Sequence, residues 1–526
     1  MVNVLISDSL STHAKEIFLS RGIDVDVKTN LSEEDLVKEI KSYNALVVRS
    51  STKVNKKIIE AAKNLKVVGR AGIGVDNIDI KVASKKGVIV MNTPFGNSIT
   101  TAEHAIALIF SLARKIPQAS ESTHSGKWEK SKFMGSELFG KTLGLIGCGR
   151  IGSIVANRAI GLKIKVMAYD PFLSDESAKE IGVTKVDFDE LLRSSDYISL
   201  HTPFTDTTKN IINKESINKM KKGIYIVNCA RGGLIDERDL LNGLNEGKIA
   251  GVALDVFADE PAHKNILFGH EKVIVTPHLG ASTLEAQENV SIQVAEQISD
   301  YLLEGSIENA LNMPSISRED APKLKPFLEL VRQISSFLGQ LTDFEVKKFF
   351  MEFNGKVASL NIHPLTSVAL EGVFKYGMDS INMVNAPSII RERGVEIIET
   401  INENSQQYRS TIKLIVEGNG IRNSVEGVVF ENGIPRVVEV NGIRIEAELS
   451  KNMLLVTNDD QPGFVGLLGG ILGEAGVNIA TFQLGRQMAG GKAMSLISID
   501  APIDGTTLNE IKSLSLVNSA ISINFN

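Results

Sequence analysis

Thr142-Leu143-Gly144-Leu145-Ile146-Gly147-Cys148-Gly149-Arg150-Ile151-Gly152 is the stretch that decides the fold. The run Thr142–Ile146 is short and apolar, suited to a strand buried on both faces. Gly147, Gly149 and Gly152 then fit G-x-G-x-x-G, and the residues after them are compatible with a helix. Glycines here permit a tight turn and let the backbone approach a pyrophosphate. The helix N-terminus supplies unpaired N–H groups and a partial positive charge. With 44 glycines in the chain the pattern alone is weak, and its place between strand and helix gives it meaning. Asp170 ends the next apolar run, where a carboxylate can bind ribose hydroxyls and repel a 2′-phosphate. No Arg or Lys follows before Lys179, so NAD is favoured over NADP.

Working outward, runs at 197–201, 224–229, 250–256 and 273–276 bring the candidate buried strands to about six, as a doubly wound dinucleotide fold uses. Upstream, apolar runs at 2–7, 45–49, 66–69 and 88–91 alternate with amphipathic segments at 11–20, 32–42 and 56–64. That alternation predicts βαβ units and a second parallel sheet. Ala105, Leu108, Ile109 and Leu112 predict a helix over 101–114, and 283–304 reads as an amphipathic helix returning to the first domain. After Asn312-Met313-Pro314 the texture changes. The chain is helical in pattern over 319–350 and strand-like at 358–362, 410–417 and 422–426, with a hairpin at 428–440 turning at Glu431-Asn432-Gly433. From 453 onward the order is strand, helix, strand, strand, helix, strand, which is ferredoxin-like. The expected class is α/β: two doubly wound parallel-sheet domains, then an α+β intervening domain and a ferredoxin-like domain. The expected boundaries are 1–96 with 286–313 for substrate binding, 97–285 for NAD binding, 314–450, and 451–526.

At 526 residues the chain has room for roughly three or four domains. Its net charge of −6 lacks the basic excess of a general nucleic-acid binder. Two cysteines, Cys148 and Cys229, exclude a disulfide framework or a four-thiolate zinc site; a single bridge stays open, and a reduced cytoplasmic protein is the simpler reading. No metal is expected. The segment Met1-Val2-Asn3-Val4-Leu5-Ile6-Ser7-Asp8 has no basic n-region, and no run approaches 18 apolar residues, so neither a signal peptide nor a membrane span is expected.

Three charged residues each fall just beyond an expected strand: Arg231, Glu260 and His278. Strand C-terminal ends line the ligand crevice of a doubly wound sheet, so the three are expected to converge there. Their types suit hydride transfer at a 2-hydroxy acid. A histidine takes the hydroxyl proton, a carboxylate orients the ring, and an arginine binds the substrate carboxylate. Arg49 and Arg70 sit at strand ends of the first domain, where a phosphorylated substrate would need cations.

The stretches 68–79 (VGRAGIGVDNID), 90–98 (VMNTPFGNS), 144–152 (GLIGCGRIG), His201-Thr202-Pro203, 228–233 (NCARGG), 253–261 (ALDVFADEP) and 276–283 (TPHLGAST) resemble the D-2-hydroxyacid dehydrogenase family, long form. The resemblance covers essentially the whole chain. It implies His278 as acid/base residue, Glu260 as its partner and Arg231 as carboxylate binder. It implies NAD contacts from Gly147, Gly149, Arg150, Ile151, Gly152, Asp170, Thr202, Cys229, Ala230, Arg231, Asp255, His278, Leu279, Gly280 and Ala281. Substrate contacts follow for Arg49, Arg70, Gly74 and Asn97, with Lys132 reaching a phosphate across a subunit boundary. Ile73 departs from members that carry threonine there.

Residues 451–526 resemble an ACT domain, on Asn458-Asp459-Asp460-Gln461-Pro462-Gly463 and Gly476-Val477-Asn478-Ile479. The resemblance implies an L-serine effector bound by Asp460 and Asn478, and a homotetramer. The implied activity is NAD-dependent oxidation of 3-phospho-D-glycerate to 3-phosphohydroxypyruvate, opening the phosphorylated route to L-serine. The rivals are a glyoxylate or hydroxypyruvate reductase and a non-catalytic NAD-sensing scaffold. Neither a nucleic acid nor a membrane is expected as partner.

Overall fold

In the computed structural model, which describes residues 2–378, 380–404, 408–430 and 433–525, the chain forms two compact units. One is Met1–Asn92 with Val294–Asn526, the other Thr93–Gln293. The first unit begins with β1 (Asn3–Ile6), β2 (Asp24–Val27), β3 (Ala45–Val48), β4 (Val67–Arg70) and β5 (Ile89–Asn92), in the order β2-β1-β3-β4-β5. All pairings are parallel. β3 and β5 are buried along their whole length, as continuous apolar runs in a two-sided sheet require. The intervening helices start at Ser11, Ser32, Asn55 and Asp79, each of whose side chains accepts a backbone N–H of the first turn. β2 was not apparent beforehand. Its Asp-Val-Asp-Val alternation suits an edge strand with one face in water, and no apolar run betrays it.

The second unit holds β6 (Thr142–Ile146), β7 (Lys165–Tyr169), β8 (Thr184–Lys185), β9 (Tyr197–Leu200), β10 (Ile224–Asn228), β11 (Ile249–Leu254) and β12 (Val273–Val275). They form a parallel seven-stranded sheet ordered β12-β11-β10-β9-β6-β7-β8. The six expected strands are present, and the two-residue β8 adds an edge. Winding reverses between β6 and β9, the switch point at which open α/β sheets bind ligands. On one face Ala102, Ala105, Leu108 and Ile109 pack with Val155, Ala156 and Ala159. On the other, Leu191, Leu192, Ile217, Leu240 and Leu244 pack against the strands. Burying each aliphatic side chain of this size contributes about 1.5–3 kcal/mol.

Helix Leu284–Glu304 leads out of that unit. The segment beyond it pairs with β5 through Leu311 N to Val90 O at 2.9 Å and Asn92 N to Asn309 O at 3.2 Å. Asn312 Oδ1 accepts the Val90 N–H at 2.9 Å. The chain does return to its first sheet.

The next module has helices Ala321–Leu341, His363–Phe374 and Ala386–Glu392, and a sheet of β13 (Lys348–Gly355), β14 (Glu396–Asn402), β15 (Ser410–Gly418), β16 (Ile421–Val429), β17 (Pro435–Val440) and β18 (Ile443–Ala447). The sheet order is β14-β13-β15-β16-β17-β18, with β13 and β14 parallel. Two expectations are corrected here. The helical pattern ends at Leu341, and 348–355 is a strand whose Phe349, Met351 and Phe353 alternate inward. The expected strand at 358–362 is a 3₁₀ turn, Lys356–Ser359, followed by a helix with Pro364 in its first turn; proline's fixed φ favours that start. The hairpin is found, as β16 paired with β17, but Glu431 and Asn432 of its turn lie outside the described residues.

The last module is β19 (Asn452–Asp459), helix Phe464–Glu474, β20 (Ile479–Arg486), β21 (Lys492–Ile499), helix Gly505–Ser513 and β22 (Val517–Asn524). Its antiparallel order β20-β21-β19-β22 is the ferredoxin-like arrangement. Among the described residues no helix is long and apolar enough to cross a membrane.

Candidate active site

Every strand of the second unit runs the same way, so the segments after β6, β7, β9, β10, β11 and β12 leave one edge of the sheet together. After β6 the chain turns at Gly147, φ +92°, where an added Cβ would stand 2.6 Å from the His201 carbonyl oxygen. A Cβ on Gly152 would stand 2.3 Å from the Gly147 oxygen. These two glycines make the turn and the close packing of helix on strand. At Gly149, which caps helix Arg150–Gly161, an added Cβ meets nothing within 4 Å. The open N-terminus there is the part of the loop that suits an approaching pyrophosphate. Asp170 stands at the end of β7, its Oδ2 accepting the Cys148 N–H at 2.8 Å and its Oδ1 that of Phe172 at 2.8 Å. Arg150 lies over the Phe95 ring at 4.0 Å, and Ile151 follows it in the helix. Thr202 follows β9 beside His201, whose Nε2 is 2.8 Å from Ser199 Oγ. Burial pushes the His201 pKa down to about 4. Cys148 and Cys229 are both free and buried, and burial raises both thiols.

After β10, Asn228 clamps the turn that carries Cys229, Ala230 and Arg231. Its Oδ1 accepts from Ala230 N at 3.0 Å, and its Nδ2 donates to Arg231 O at 2.9 Å. The Arg231 guanidinium donates to the Ala230 carbonyl at 2.7 Å. Glu260, beyond β11, and His278, beyond β12, meet directly: His278 Nδ1 is 2.6 Å from Glu260 Oε2. The Nδ1 position then carries the proton toward the carboxylate and leaves Nε2 for a reacting hydroxyl. The His278 side chain is 50% exposed, accessible as a proton-transfer group must be. Glu260 Oε1 accepts the Phe257 N–H at 2.9 Å. Burial works to raise the Glu260 pKa, but the His278 and Phe257 hydrogen bonds and the His278 charge prevail and hold it below the usual carboxylate value.

His278 has φ +56°, a left-handed conformation that costs a non-glycine residue on the order of 1–3 kcal/mol. Asp255 holds it there. The Asp255 carbonyl accepts the His278 N–H at 2.9 Å, and its carboxylate accepts the N–H groups of Leu279 at 2.7 Å and Gly280 at 2.8 Å. Ala281 follows in the same loop. Burial acts to raise the Asp255 pKa, while bonds from His104, Thr276 and Leu279 lower it further, leaving it depressed.

In the other unit, Arg49 follows β3 and Arg70 ends β4. The loop carrying Arg49 is organised by Asp8, which sequence reasoning missed: Asp8 accepts from Arg49 N at 2.6 Å and from the Thr52 hydroxyl at 2.7 Å. Asn77 Nδ2 donates to the Arg49 and Thr52 carbonyls, at 2.7 and 2.6 Å, joining this loop to the one carrying Gly74. Gly72 leaves room for the Arg70 guanidinium, since a Cβ there would fall 1.7 Å from Nη1. The signal available for Asp8 was its place just past the first strand.

Asn97 is buried at the N-cap of helix Ser98–Arg114, and Lys132 is exposed, 3.6 Å from Glu129 and over the Phe133 ring. Asp460 and Asn478 do not meet within one chain. Asp460 bonds Arg486 and the Gly490 N–H, at 2.8 and 2.9 Å, beyond the C-terminal end of β20. Asn478 precedes β20 and donates to Asp500 at 2.8 Å. The eight residues of β20 put roughly 25 Å between those ends.

A Rossmann-type sheet with a histidine–glutamate pair at its strand ends is an arrangement suited to dinucleotide binding and to proton transfer at a hydroxyl group. The chain matches the family model for the D-isomer specific 2-hydroxyacid dehydrogenase NAD binding domain over residues 106–280, and that for the D-3-phosphoglycerate dehydrogenase intervening domain over 323–441. It is 41% identical over 525 residues to D-3-phosphoglycerate dehydrogenase of Synechocystis sp., covering 99% of this chain and 95% of that protein. The same-named protein of Methanocaldococcus jannaschii is 40% identical over 526 residues, 100% of both. Among solved structures, D-lactate dehydrogenase from Aquifex aeolicus, complexed with NAD and lactic acid, matches with a TM-score of 0.53 and 28% identity, covering 60% of this chain and 100% of that one. The chain belongs to the D-3-phosphoglycerate dehydrogenase family of D-isomer specific 2-hydroxyacid dehydrogenases. It is an oxidoreductase and NAD is its cofactor.

Proposed function

We infer that this chain oxidises 3-phospho-D-glycerate to 3-phosphohydroxypyruvate, the first step of phosphorylated L-serine synthesis. The observation that carries the reading is the end-to-end match, at about two residues in five, to relatives named for this activity. The 2.6 Å His278–Glu260 pair supports the chemistry. The Gly147–Gly152 turn and Asp170 would hold NAD, which would supply the hydride acceptor for the hydroxyl-bearing carbon. His278 takes the hydroxyl proton at Nε2, and Glu260 orients the ring and stabilises the charge it acquires. Arg231 binds the substrate carboxylate and, in reverse, polarises the carbonyl. Arg49, Arg70, Gly74, Asn97 and Lys132 are the proposed substrate contacts, the cations among them serving the phosphate.

The same reading includes a homotetramer in the cytoplasm with L-serine as effector. Trp128, Met134 and Phe139 are 86%, 75% and 73% exposed, apolar surface suited to a subunit contact. Because Asp460 and Asn478 stand at opposite ends of β20, an effector site using both takes one from each of two chains.

The test is initial-rate NADH formation from 3-phosphoglycerate with D-glycerate as control, and the reverse reaction with phosphohydroxypyruvate, hydroxypyruvate and glyoxylate. Preference for the phosphorylated compounds is expected. Preference for the others would keep the hydride chemistry and remove the phosphate roles of Arg49 and Lys132.

A further inference from the structure

We propose that His104 is a positioning residue for hydride transfer: through Asp255 and Thr276 it holds the loop that presents His278. The inference rests on His278 being the acid/base residue, and concerns a side chain that touches neither it nor Glu260.

His104 lies on helix Ser98–Arg114, whose buried neighbours Ala102, Ala105 and Leu108 pack into the core of the second unit. A histidine in that setting needs a polar partner, because an imidazole nitrogen turned into a core without one is left desolvated and unpaired. His104 has two partners. Its Nε2 is 3.2 Å from Thr276 Oγ1 and 3.3 Å from Asp255 Oδ1. Thr276 donates its hydroxyl to the same Asp255 oxygen at 2.6 Å. The Asp255 side chain is fully buried, and a buried carboxylate retains its charge only when hydrogen-bonded or paired.

That carboxylate is the hub of the catalytic loop. The N–H groups of Leu279 and Gly280 both end on it, and the His278 N–H ends on the carbonyl of the same residue. The helix reaches the loop a second time, one turn before His104, where the Thr101 hydroxyl donates to Gly280 O at 2.9 Å. The residue so enclosed, His278, has φ +56°, a conformation that persists only while its surroundings hold it. A shift of the hub tilts the loop, and the loop carries the imidazole. Proton transfer is sensitive to displacements of that size, and a misplacement of about 1 Å can lower a rate about a hundredfold.

The experiment uses the full-length protein with His104→Phe, which keeps the bulk and removes the polar nitrogens, and His104→Gln, which retains a donor. Readouts are kcat and KM for phosphohydroxypyruvate, NADH affinity by fluorescence, and the thermal midpoint. The expected result for His104→Phe is a roughly 10- to 100-fold fall in kcat, with KM and NADH affinity within about threefold of the parent. His104→Gln should recover most of kcat. Thr276→Val, nearly isosteric, should reproduce the loss, and Thr276→Ser should not, so a poorly folding His104→Phe leaves the test intact. A kcat within twofold of the parent in both His104→Phe and Thr276→Val overturns the proposal. So does a loss of NADH affinity as large as the loss of kcat, or a glutamine variant no better than phenylalanine. If the parent is inactive, or His278→Ala is fully active, the reading of the site itself fails; an active, His278-dependent parent with indifferent His104 variants sinks this inference alone.

Discussion

Glu260 and His278 are 18 residues apart in the chain, and so are Asp460 and Asn478. The first pair is in contact at 2.6 Å; the second stands at opposite ends of an eight-residue strand. The difference is one of topology. β11 and β12 are parallel neighbours, so the segments leaving their C-terminal ends emerge side by side. In the ferredoxin-like module β19 and β20 also run in one direction, both antiparallel to β21 between them. Asp460 leaves the end of β19 while Asn478 enters the start of β20, and the sheet's length separates them. A parallel sheet therefore gathers its loop residues into a site within one chain. In the smaller module the same spacing leaves the two side chains at opposite ends of the sheet.

The largest expected effect probes the gathered pair. His278→Ala should lower kcat by about 10²–10⁴-fold while NADH still binds, which single-turnover and fluorescence measurements would separate. Unchanged turnover would leave the pair without a chemical role. Glu260→Gln should cost less, about 10- to 100-fold, because an amide still orients the ring but does not balance its charge.

Acid should strain the second unit through His201. Burial depresses its pKa from 6.5 to about 4, so the folded state keeps it neutral while the unfolded chain takes up a proton below about 6.5. The folded state binds fewer protons in that window, so stability falls as pH drops from 6.5 toward 4, by at most about 3 kcal/mol. Thermal midpoints of the parent and His201→Gln from pH 7 to 4.5 would test it: the parent's slope should be the steeper, and parallel slopes would contradict the assignment.

The smallest effect concerns the separated pair. Asp460→Ala and Asn478→Ala should each blunt inhibition by L-serine with little change in basal rate. Mixed assemblies of the two variants should regain part of the response, since one of the two shared sites is then intact. A mixture as unresponsive as either parent variant would mean that each chain binds alone, or elsewhere.

Much of the site was legible because glycine and strand-end patterns are local. Gly147 and Gly152 announced a turn in which a side chain at either place would collide with backbone, Gly149 kept the motif's spacing, and Glu260 and His278 were each visible as polar residues just past apolar runs. The two edge strands β2 and β8 were hidden, one by its aspartates and the other by its length of two residues. β13 was hidden because Phe350 fills the gap in the alternation of Phe349, Met351 and Phe353, and Phe349, Phe350 and Phe353 stand at i, i+1 and i+4, a helical spacing. His104 looked like a single polar residue on an apolar helix, and Asp8 like an ordinary N-terminal acid.

By itself, then, the sequence determined the parallel-sheet class, the strand, glycine turn and helix of the dinucleotide loop, and the places of Glu260 and His278 just beyond strand ends. Each of these depends on residues close together in the chain or on a spacing that one strand and one turn impose. Only the tertiary structure decided that His104 meets Asp255, that Asp8 orders the Arg49 loop, and that Asp460 and Asn478 stay apart. Those relations depend on which strands become neighbours and in which direction they run, and hydrophobic burial over the whole sheet settles that order.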